Sequence, residues 1–489
     1  MHYQFITRFS DYRVLVIGDP MTDRFYHGHS TRLSPEGPVP VVDVDYVSCT
    51  PGGAANTAAN LAMLGAQVTF CSVAGNDDEA RQAIHLLGTR NIYPLIAMSS
   101  NRSTMVKNRI VAGGQILARF DSGTSDPLDA ADEAELISLL EEAYQDYDAI
   151  VISDYDKGIL TPAVIAALQR LRAKHDSFVA VDSRRPAKFR ELRPSFVKPN
   201  YAEAASMLSL RLQTQHRARQ VSAAGDALFK ATQAAITALT LDEEGAVLFS
   251  EDKPVYTAHA RPVQHPNVVG AGDVYTSAFT LSSLAGATIP EAAEIAASAA
   301  ALALKKQTTA CCNWQELLAA MAEDRKQLES TAQLQALCDM YRARGRKIVF
   351  TNGCFDILHS GHVRYLEQAR SKGDVLIVGI NNDASIRRMK GPARPVNNLQ
   401  DRVQVLSALG SVNHIVSFGN EKDDTPCSLI RAIVPDVFVK GGDYAIDDLP
   451  EAPLVEELGG KVEILPLVEG RSTTNVIRKI RELPLLKSV

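Results

Sequence analysis

The chain has 489 residues with a formal net charge of −6; 46% of residues are apolar and 22% charged, which is ordinary globular composition and, at roughly 100 to 200 residues per domain, long enough for two or three domains. The acidic balance excludes nucleic acid as the main partner, because a phosphate backbone is met by a basic face. Seven scattered cysteines without a Cys-x-x-Cys pair exclude a disulfide framework and a structural zinc site.

The opening segment, Met1 to Arg13, mixes acids, bases and aromatics and does not read as a signal peptide. The most apolar run, Ile295 to Leu304, is closed by Lys305-Lys306, far short of the ~20 residues that cross a bilayer. A cytoplasmic protein that binds no membrane is therefore expected.

From Arg13 to about Ser250, short β-branched runs (Val14–Ile17, Ala149–Ile152, Phe178–Val181) alternate with helical patterns. This rhythm predicts βαβ units, a mostly parallel sheet covered by helices, and a site at the carboxyl ends of its strands. Polar residues stand at those ends: Gly18-Asp19, Ser153-Asp154 and Asp182-Ser183-Arg184. Next come Pro51-Gly52-Gly53-Ala54-Ala55-Asn56, which permits close backbone approach before a helix, and Asn200-Tyr201-Ala202-Glu203, an amide and a carboxylate suited to ordering Mg²⁺ and its waters around ATP. Thr240-Leu241-Asp242-Glu243-Glu244-Gly245 follows a strand and would lie beside the nucleotide.

Gly270-Ala271-Gly272-Asp273 then opens an apolar helix. Glycines at a helix start let N–H groups approach a phosphate, and the positive end of the helix stabilises its charge. Asp273, in the first turn, is placed to take a proton from an attacking hydroxyl. The competing reading is a glycine turn with a capping Asp; the other segments weaken it.

Between Cys311 and about Ala332 the strand rhythm stops in a polar, helix-prone stretch, and this is where the domain boundary is expected: a first domain over 1–322, a linker and connecting helix over 323–338, and a second domain over 339–489. Alternation restarts at Lys347–Phe350 and continues through Val375–Val378, His414–Val416 and Val437–Val439, predicting a smaller α/β sheet. Within it, Thr351-Asn352-Gly353-Cys354-Phe355-Asp356-Ile357-Leu358-His359-Ser360-Gly361-His362 runs from strand into helix. Two imidazoles three residues apart share one helix face and can donate hydrogen bonds to an α-phosphoryl group under attack. A metal pair is the rival reading, but the zincin spacing and its glutamate are absent. Lys390 and Lys440-Gly441-Gly442-Asp443 add cations, and Ser472, Thr473 and Thr474 add hydroxyls for the β- and γ-phosphates.

The first set of motifs resembles the ribokinase-like (PfkB) carbohydrate kinases over roughly residues 10 to 315. The resemblance implies an α/β sandwich with a β lid, Asp273 as catalytic base, and Gly270, Ala271 and Gly272 as anion hole. It implies Asn200, Tyr201, Ala202, Glu203, Thr240 and Gly245 at the nucleotide, with Glu203 reaching Mg²⁺ through water. Asp19, Asp23, Gly52, Gly53 and Asn56 would hold the sugar, while Arg109, Arg119, Asp121 and Lys157, read as loop residues, would grip its phosphate and hydroxyls. Many members carry Asp and Thr where this chain has Asn267 and Val269, so activation by a monovalent cation is not carried over.

The second set closely resembles the cytidylyltransferase-like nucleotidyltransferases from about Lys347 to Ile480, Rossmann-like α/β domains. It implies His359 and His362 as catalytic, with Phe355, Lys390, Ser472, Thr473 and Thr474 at the nucleotide. In this order, the two halves resemble the bacterial bifunctional heptose kinase/adenylyltransferases. This implies ATP and heptose phosphates as substrates in ADP-heptose synthesis for the lipopolysaccharide core. A homodimer through the kinase domain is expected, with Val39–Tyr46 as a lid strand. Another sugar phosphate, CTP in place of ATP, or one half reduced to a binding module are the alternatives that spacing leaves open.

Overall fold

A computed structural model of the chain describes residues 3–260, 263, 269–306, 311–323, 325–421, 423–442, 446 and 449–466. The chain divides into two compact units, Met1–Leu317 and Leu318–Val489.

The strands of the first unit, in chain order, are β1 (Arg13–Gly18), β2 (Pro20–Leu33), β3 (Pro40–Gly53), β4 (Gln67–Gly75), β5 (Ile92–Ser99), β6 (Met105–Ala112), β7 (Gln115–Ser122), β8 (Ala149–Asp154), β9 (Phe178–Ser183), β10 (Phe196–Val197), β11 (Ile236–Thr240), β12 (Ala246–Ser250) and β13 (Lys253–Ala258). They form a nine-stranded sheet of order β13-β12-β11-β10-β9-β8-β1-β4-β5 and a four-stranded sheet of order β3-β2-β6-β7. The large sheet is parallel from β5 to β11, and β12 and β13 close its far edge antiparallel. Central strands are apolar throughout because both faces are covered. Leu15, Ile17, Ile150 and Ile152 join Leu136, Leu140, Val164 and Leu168 of two helices, Ala130–Ala143 and Pro162–Lys174, in one core. The pleat turns Val14, Val16 and Val151 the other way, where helices Ala54–Met63 and Ala271–Leu284 pack.

From β1 the chain builds outward to β4 and β5, then returns to β8 on β1's other side. The β1/β8 boundary is thus a topological switch point, where parallel sheets open a crevice at the strands' carboxyl ends. The four-stranded sheet grows from this end, since β2 starts two residues after β1 and β3 runs directly into helix Ala54–Met63.

In the second unit, β14 (Gln327–Leu328), β15 (Ile348–Gly353), β16 (Val375–Asn381), β17 (His414–Phe418), β18 (Val437–Gly441) and β19 (Lys461–Leu465) form one parallel sheet of order β14-β17-β16-β15-β18-β19. Its switch point lies between β15 and β18. The 323–338 stretch, read as linker and connecting helix, is built into this unit: β14 pairs with β17, and Leu334, Leu337 and Cys338 of helix Thr331–Ala343 are buried in its core. No helix among the described residues is long and apolar enough to cross a membrane.

Candidate active sites

In the first unit, helix Ala271–Leu284 starts from Gly270, whose φ of +85° is the left-handed conformation that glycine adopts without strain. Asp273 lies in its first turn, almost fully buried. Three donors from elsewhere in the chain converge on its carboxylate: Asn56 Nδ2 donates to Oδ2 at 2.6 Å, and Tyr155 Oη and Thr57 Oγ1 donate to Oδ1 at 2.8 and 3.2 Å. A carboxylate offers about four acceptor positions, so one stays available for a substrate hydroxyl. Burial, with the nearby Asp182 charge, pushes the Asp273 pKa up to about 6 despite these donors. Asp273 is thus a stronger base than an exposed aspartate and still ionised at neutral pH.

Lys198, at the end of β10, is buried with its Nζ 3.2 Å from Asp182 Oδ1. A Cβ added at Gly272 would come within 3.2 Å of that Nζ, so the glycine makes room for the cation at the helix start. Burial works against the charge on Lys198, but Asp182, Glu203 and Asp273 outweigh it and hold its pKa above the usual value. Thr276 Oγ1 donates to the other Asp182 oxygen at 2.9 Å. The arrangement presents a base, a buried ammonium and the positive end of a helix within one crevice, the requirements of phosphoryl transfer.

Asn200 and Glu203 form a capping box at helix Tyr201–Leu208: Glu203 N donates to Asn200 Oδ1 and Asn200 N to Glu203 Oε2, both at 2.8 Å. Tyr201 and Ala202 are the helix's first two residues. The box leaves Glu203 Oε1 for an outer-sphere role, and burial, only partly offset by the Asn200 N–H and Lys198, raises the Glu203 pKa. Thr240, ending β11, bridges to Asn200, so the two segments lie side by side. Among the described residues no group of three His, Cys, Asp or Glu side chains gathers to hold a metal ion. Glu203 suits Mg²⁺ that arrives with ATP and keeps its waters.

Several residues expected at the sugar have other partners. Both Asp19 oxygens are enclosed, accepting N–H bonds from Tyr155, Lys157 and Ile159 at 2.7 to 3.3 Å; burial and the Asp154 charge push its pKa up to about 6. Asp19 therefore clamps the loop after β8, which carries Tyr155 and Lys157, across the switch point. Asn56 gives one Nδ2 hydrogen to Asp273. Gly53 has a φ of +56° and caps helix Ala54–Met63, and a Cβ at Gly52 would stand 2.9 Å from the Asp23 carboxylate. Arg109 and Asp121 were read as loop residues, but they lie on β6 and β7, as does Arg119. Arg109 is buried and pairs with Asp23 at 2.8 Å, while Arg119 and Asp121 form a two-bonded pair at 2.9 and 2.6 Å. The strand pairing Lys107↔Asp121 and Asp23↔Lys107 brings these charges together on the small sheet. Lys107, which the sequence reading passed over, stands over the Tyr155 ring at 5.1 Å.

In the second unit, β15 delivers Thr351 and Asn352 to the switch point, and the following loop enters helix Ser360–Arg370 with His359 as its N-cap residue. The His359 and His362 rings stack with centroids 4.0 Å apart, and Phe355 packs on His362 at 5.5 Å. Phe355 holds a φ of +44°, an unfavourable conformation for a bulky residue and one that recurs at functional loops. Burial, then repulsion from His359 and Lys390, drops the His362 pKa to about 4. His362 is neutral at pH 7 and donates from one nitrogen only. Lys390 ends helix Asp383–Lys390 with its side chain exposed.

The loop is braced by Arg402, which the sequence did not point to, and by Asp356 of the motif itself. Arg402, fully buried, donates to Cys354 O and Asp383 Oδ1 at 2.7 Å and to Asn397 O at 3.1 Å. Asp356 accepts from Arg394 at 2.6 Å and from Val396 N and Asn397 N. Across the β15/β18 switch point, Lys440 Nζ lies 3.0 Å from both Asn352 Oδ1 and Glu451 Oε1. Ser472, Thr473, Thr474, Asp443 and Asn267 lie outside the described residues.

Two family models match the chain: pfkB family carbohydrate kinase over residues 13–316 and Cytidylyltransferase-like over 350–479. Curated relatives named Bifunctional protein HldE include one from Trichlorobacter lovleyi, 36% identical over 97% of this chain and 96% of its own length. Another, from Pseudomonas entomophila, is 39% identical over 97% of this chain and 98% of its own. Among solved structures, phosphofructokinase-2 from Escherichia coli in complex with potassium covers 63% of this chain and 97% of its own at a TM-score of 0.52 and 19% identity. Arabidopsis thaliana ribokinase complexed with ribose and ATP covers 63% and 98% at 0.50 and 16%. At such identities these structures bear on the fold alone, and they place the first unit in the ribokinase-like architecture. The chain belongs to the bifunctional HldE family, and it is a two-activity transferase, a carbohydrate kinase followed by a nucleotidyltransferase.

Proposed function

We propose that the first unit phosphorylates D-glycero-β-D-manno-heptose 7-phosphate at O1, and that the second joins heptose 1-phosphate to the AMP moiety of ATP. The observation that carries the kinase half is the Asp273 carboxylate, buried and triply held, with one acceptor position left at a glycine-lined helix start. Similarity to HldE proteins over nearly the whole chain supports the pairing of activities.

In the first reaction Asp273 accepts the O1 proton as O1 attacks the γ-phosphorus in line. The bond to the β,γ-bridging oxygen breaks and ADP leaves. The N–H groups of Gly270, Ala271 and Gly272 and the Lys198 ammonium face the charge on the moving phosphoryl group. Glu203 would hold the waters of a Mg²⁺ ion brought with ATP, and that ion would supply neutralisation of phosphate charge. Lys107, Lys157 and the Arg119–Asp121 pair line the sugar-phosphate side of the same crevice.

In the second reaction a phosphate oxygen of heptose 1-phosphate attacks the α-phosphorus and pyrophosphate leaves. No protein nucleophile is needed. His359 and His362 donate to the α-phosphoryl oxygens, and Lys440 stands across the switch point. ADP-heptose is the product. Because the first product, the 1,7-bisphosphate, carries a 7-phosphate that the second substrate lacks, a phosphatase must act between the two steps.

The test is to incubate the chain with ATP or CTP and a panel of sugar phosphates. ADP is expected only with heptose 7-phosphate, and pyrophosphate only with heptose 1-phosphate and ATP. Pyrophosphate release with CTP alone would overturn the ADP-heptose reading.

The homodimer is assigned to the small sheet. Its edge strands expose Val44, Tyr46 and Val47 on β3 and Ile116, Leu117 and Phe120 on β7, an apolar surface of the kind that marks protein interfaces. Sedimentation is expected to show a dimer that Tyr46→Asp with Phe120→Asp converts to monomer; a monomeric unaltered chain at micromolar concentration would rule it out.

A further inference from the structure

Arg217 opens the helix Arg217–Ser222, and its side chain is only 10% exposed. Its guanidinium reaches all three acids of the turn Asp242–Glu244: Nε donates to Glu244 Oε1 at 2.8 Å, Nη1 to Asp242 Oδ2 at 2.9 Å, and Nη2 lies 3.7 Å from Glu243 Oε1. Nη2 also donates to Leu241 O at 2.7 Å. The same guanidinium stands 5.5 Å over the ring of Tyr201. Tyr201 is pinned in turn, its hydroxyl donating to Gln220 at 2.6 Å and accepting from Gln213 N at 2.7 Å.

These contacts tie together two segments that meet the nucleotide in the reading above. Asn200 to Glu203 opens the Tyr201 helix, and Thr240 to Gly245 encloses the acidic turn. The segments share one backbone bridge, Asn200↔Thr240, and the Thr240 N–H donates to Pro199 O. The turn is strained at Asp242, which holds a φ of +53°, and it closes on Gly245, where a Cβ would stand 2.0 Å from Ala258 O. Such a turn needs an external hold. Its three carboxylates also concentrate negative charge at the carboxyl end of β11, where a polyphosphate must approach. A planar guanidinium with five donors in a fixed fork can engage several carboxylates at once, whereas an ammonium acts as a point charge.

We propose that Arg217 is a positioning residue for the kinase's ATP, holding the acidic turn Asp242–Glu244 against the Tyr201 helix and offsetting part of the charge that the turn would otherwise set against the nucleotide. This rests on the nucleotide reading of Thr240 to Gly245.

The test uses the full chain, with Arg217→Gln and Arg217→Lys. Arg217→Gln is expected to raise the kinase KM for ATP about tenfold, a shift of the size that a charge-assisted contact supplies, while kcat and the KM for the sugar phosphate stay within about twofold. Raising the salt concentration should narrow the difference, because part of the effect is unscreened carboxylate charge. Arg217→Lys should recover part of the loss, and it carries the test if the Gln variant fails to fold. An ATP KM unchanged in both variants, or sugar-phosphate KM and kcat moving as much as the ATP KM, overturns the proposal. Peptide-resolved hydrogen exchange of the unaltered chain separates the two readings. If ATP leaves 240–245 unprotected, the nucleotide assignment itself fails. If ATP protects the turn but Arg217→Gln leaves the KM unchanged, the role of Arg217 alone falls.

Discussion

Asp273→Asn is expected to lower kinase turnover by about 10²- to 10⁴-fold, the usual contribution of a positioned general base, while adenylyl transfer by the same preparation proceeds at its normal rate. The amide cannot accept the hydroxyl proton, and it also sets an NH₂ group among three donors, Asn56, Thr57 and Tyr155, that need an acceptor. A loss larger than that of the proton transfer alone would show this mismatch. The unaltered kinase carries a matching pH signature. With the Asp273 pKa pushed up to about 6, the working form is the carboxylate, present above that value. kcat/KM for the sugar phosphate should therefore fall as pH drops through about 6 and level off above about 7. A kinase that held its rate down to pH 5, or an Asn variant near the unaltered rate, would remove Asp273 from the role of base.

His362→Ala is expected to cost adenylyl transfer about 10²- to 10³-fold in kcat, the scale seen when one preorganised donor to developing phosphoryl or oxyanion charge is removed, with the kinase untouched. His359→Ala should cost a similar amount. The double variant should lose less than the product of the two, because the rings stack at 4.0 Å and hold one another in place. Because His362 has its pKa dropped to about 4, it donates as a neutral imidazole throughout the physiological range. Its contribution should give no loss of rate as pH rises from 6 to 8, whereas a protonated imidazole with an ordinary pKa would lose its charge there. A rate that fell across that interval with an apparent pKa near the unperturbed histidine value, in the unaltered chain and not in His362→Ala, would contradict the neutral-donor assignment.

The two sites share a design. In each unit the candidate site lies at the switch point of a parallel sheet, β1/β8 in the first and β15/β18 in the second, and a side chain spans the gap: Asp19 to the loop after β8, and Lys440 to Asn352. Parallel strands aim their carboxyl ends the same way, so a crevice forms where the chain reverses its direction of travel across the sheet. Helix N-termini then face that crevice with their unbonded N–H groups.

The sequence by itself determined what depends on neighbours in the chain. Strand rhythm placed the central strands of both sheets, because a two-faced buried strand must be apolar at every position. The helix starts at Gly270 and His359 were legible because glycines and polar residues at such junctions answer local backbone demands. The shared helix face of His359 and His362 follows from a spacing of three. The short strand β14 was not legible, since two residues carry no periodicity and its pairing with β17 is a tertiary event. The strands β6 and β7, which carry Arg109, Arg119 and Asp121, are not legible as strands because apolar and charged residues are mixed in them without the strict alternation of a half-covered sheet.

Only the tertiary structure decided which side chains answer one another. Asn56 and Asp273 are 217 residues apart, and nothing local distinguishes an amide that binds a sugar from one that holds the base. Asp19, Asp23 and Arg109 have the residue types of a sugar site, and it is the fold that brings the N–H groups of the loop after β8 to Asp19 and pairs Asp23 with Arg109. Lys198 looks like any lysine after a strand until the fold brings it to Asp182 and Gly272. The physical reason is common to all of these. A buried charge must find its partner wherever the packed chain brings one, and that choice is made by three-dimensional proximity in a low-dielectric interior, on which linear spacing is silent.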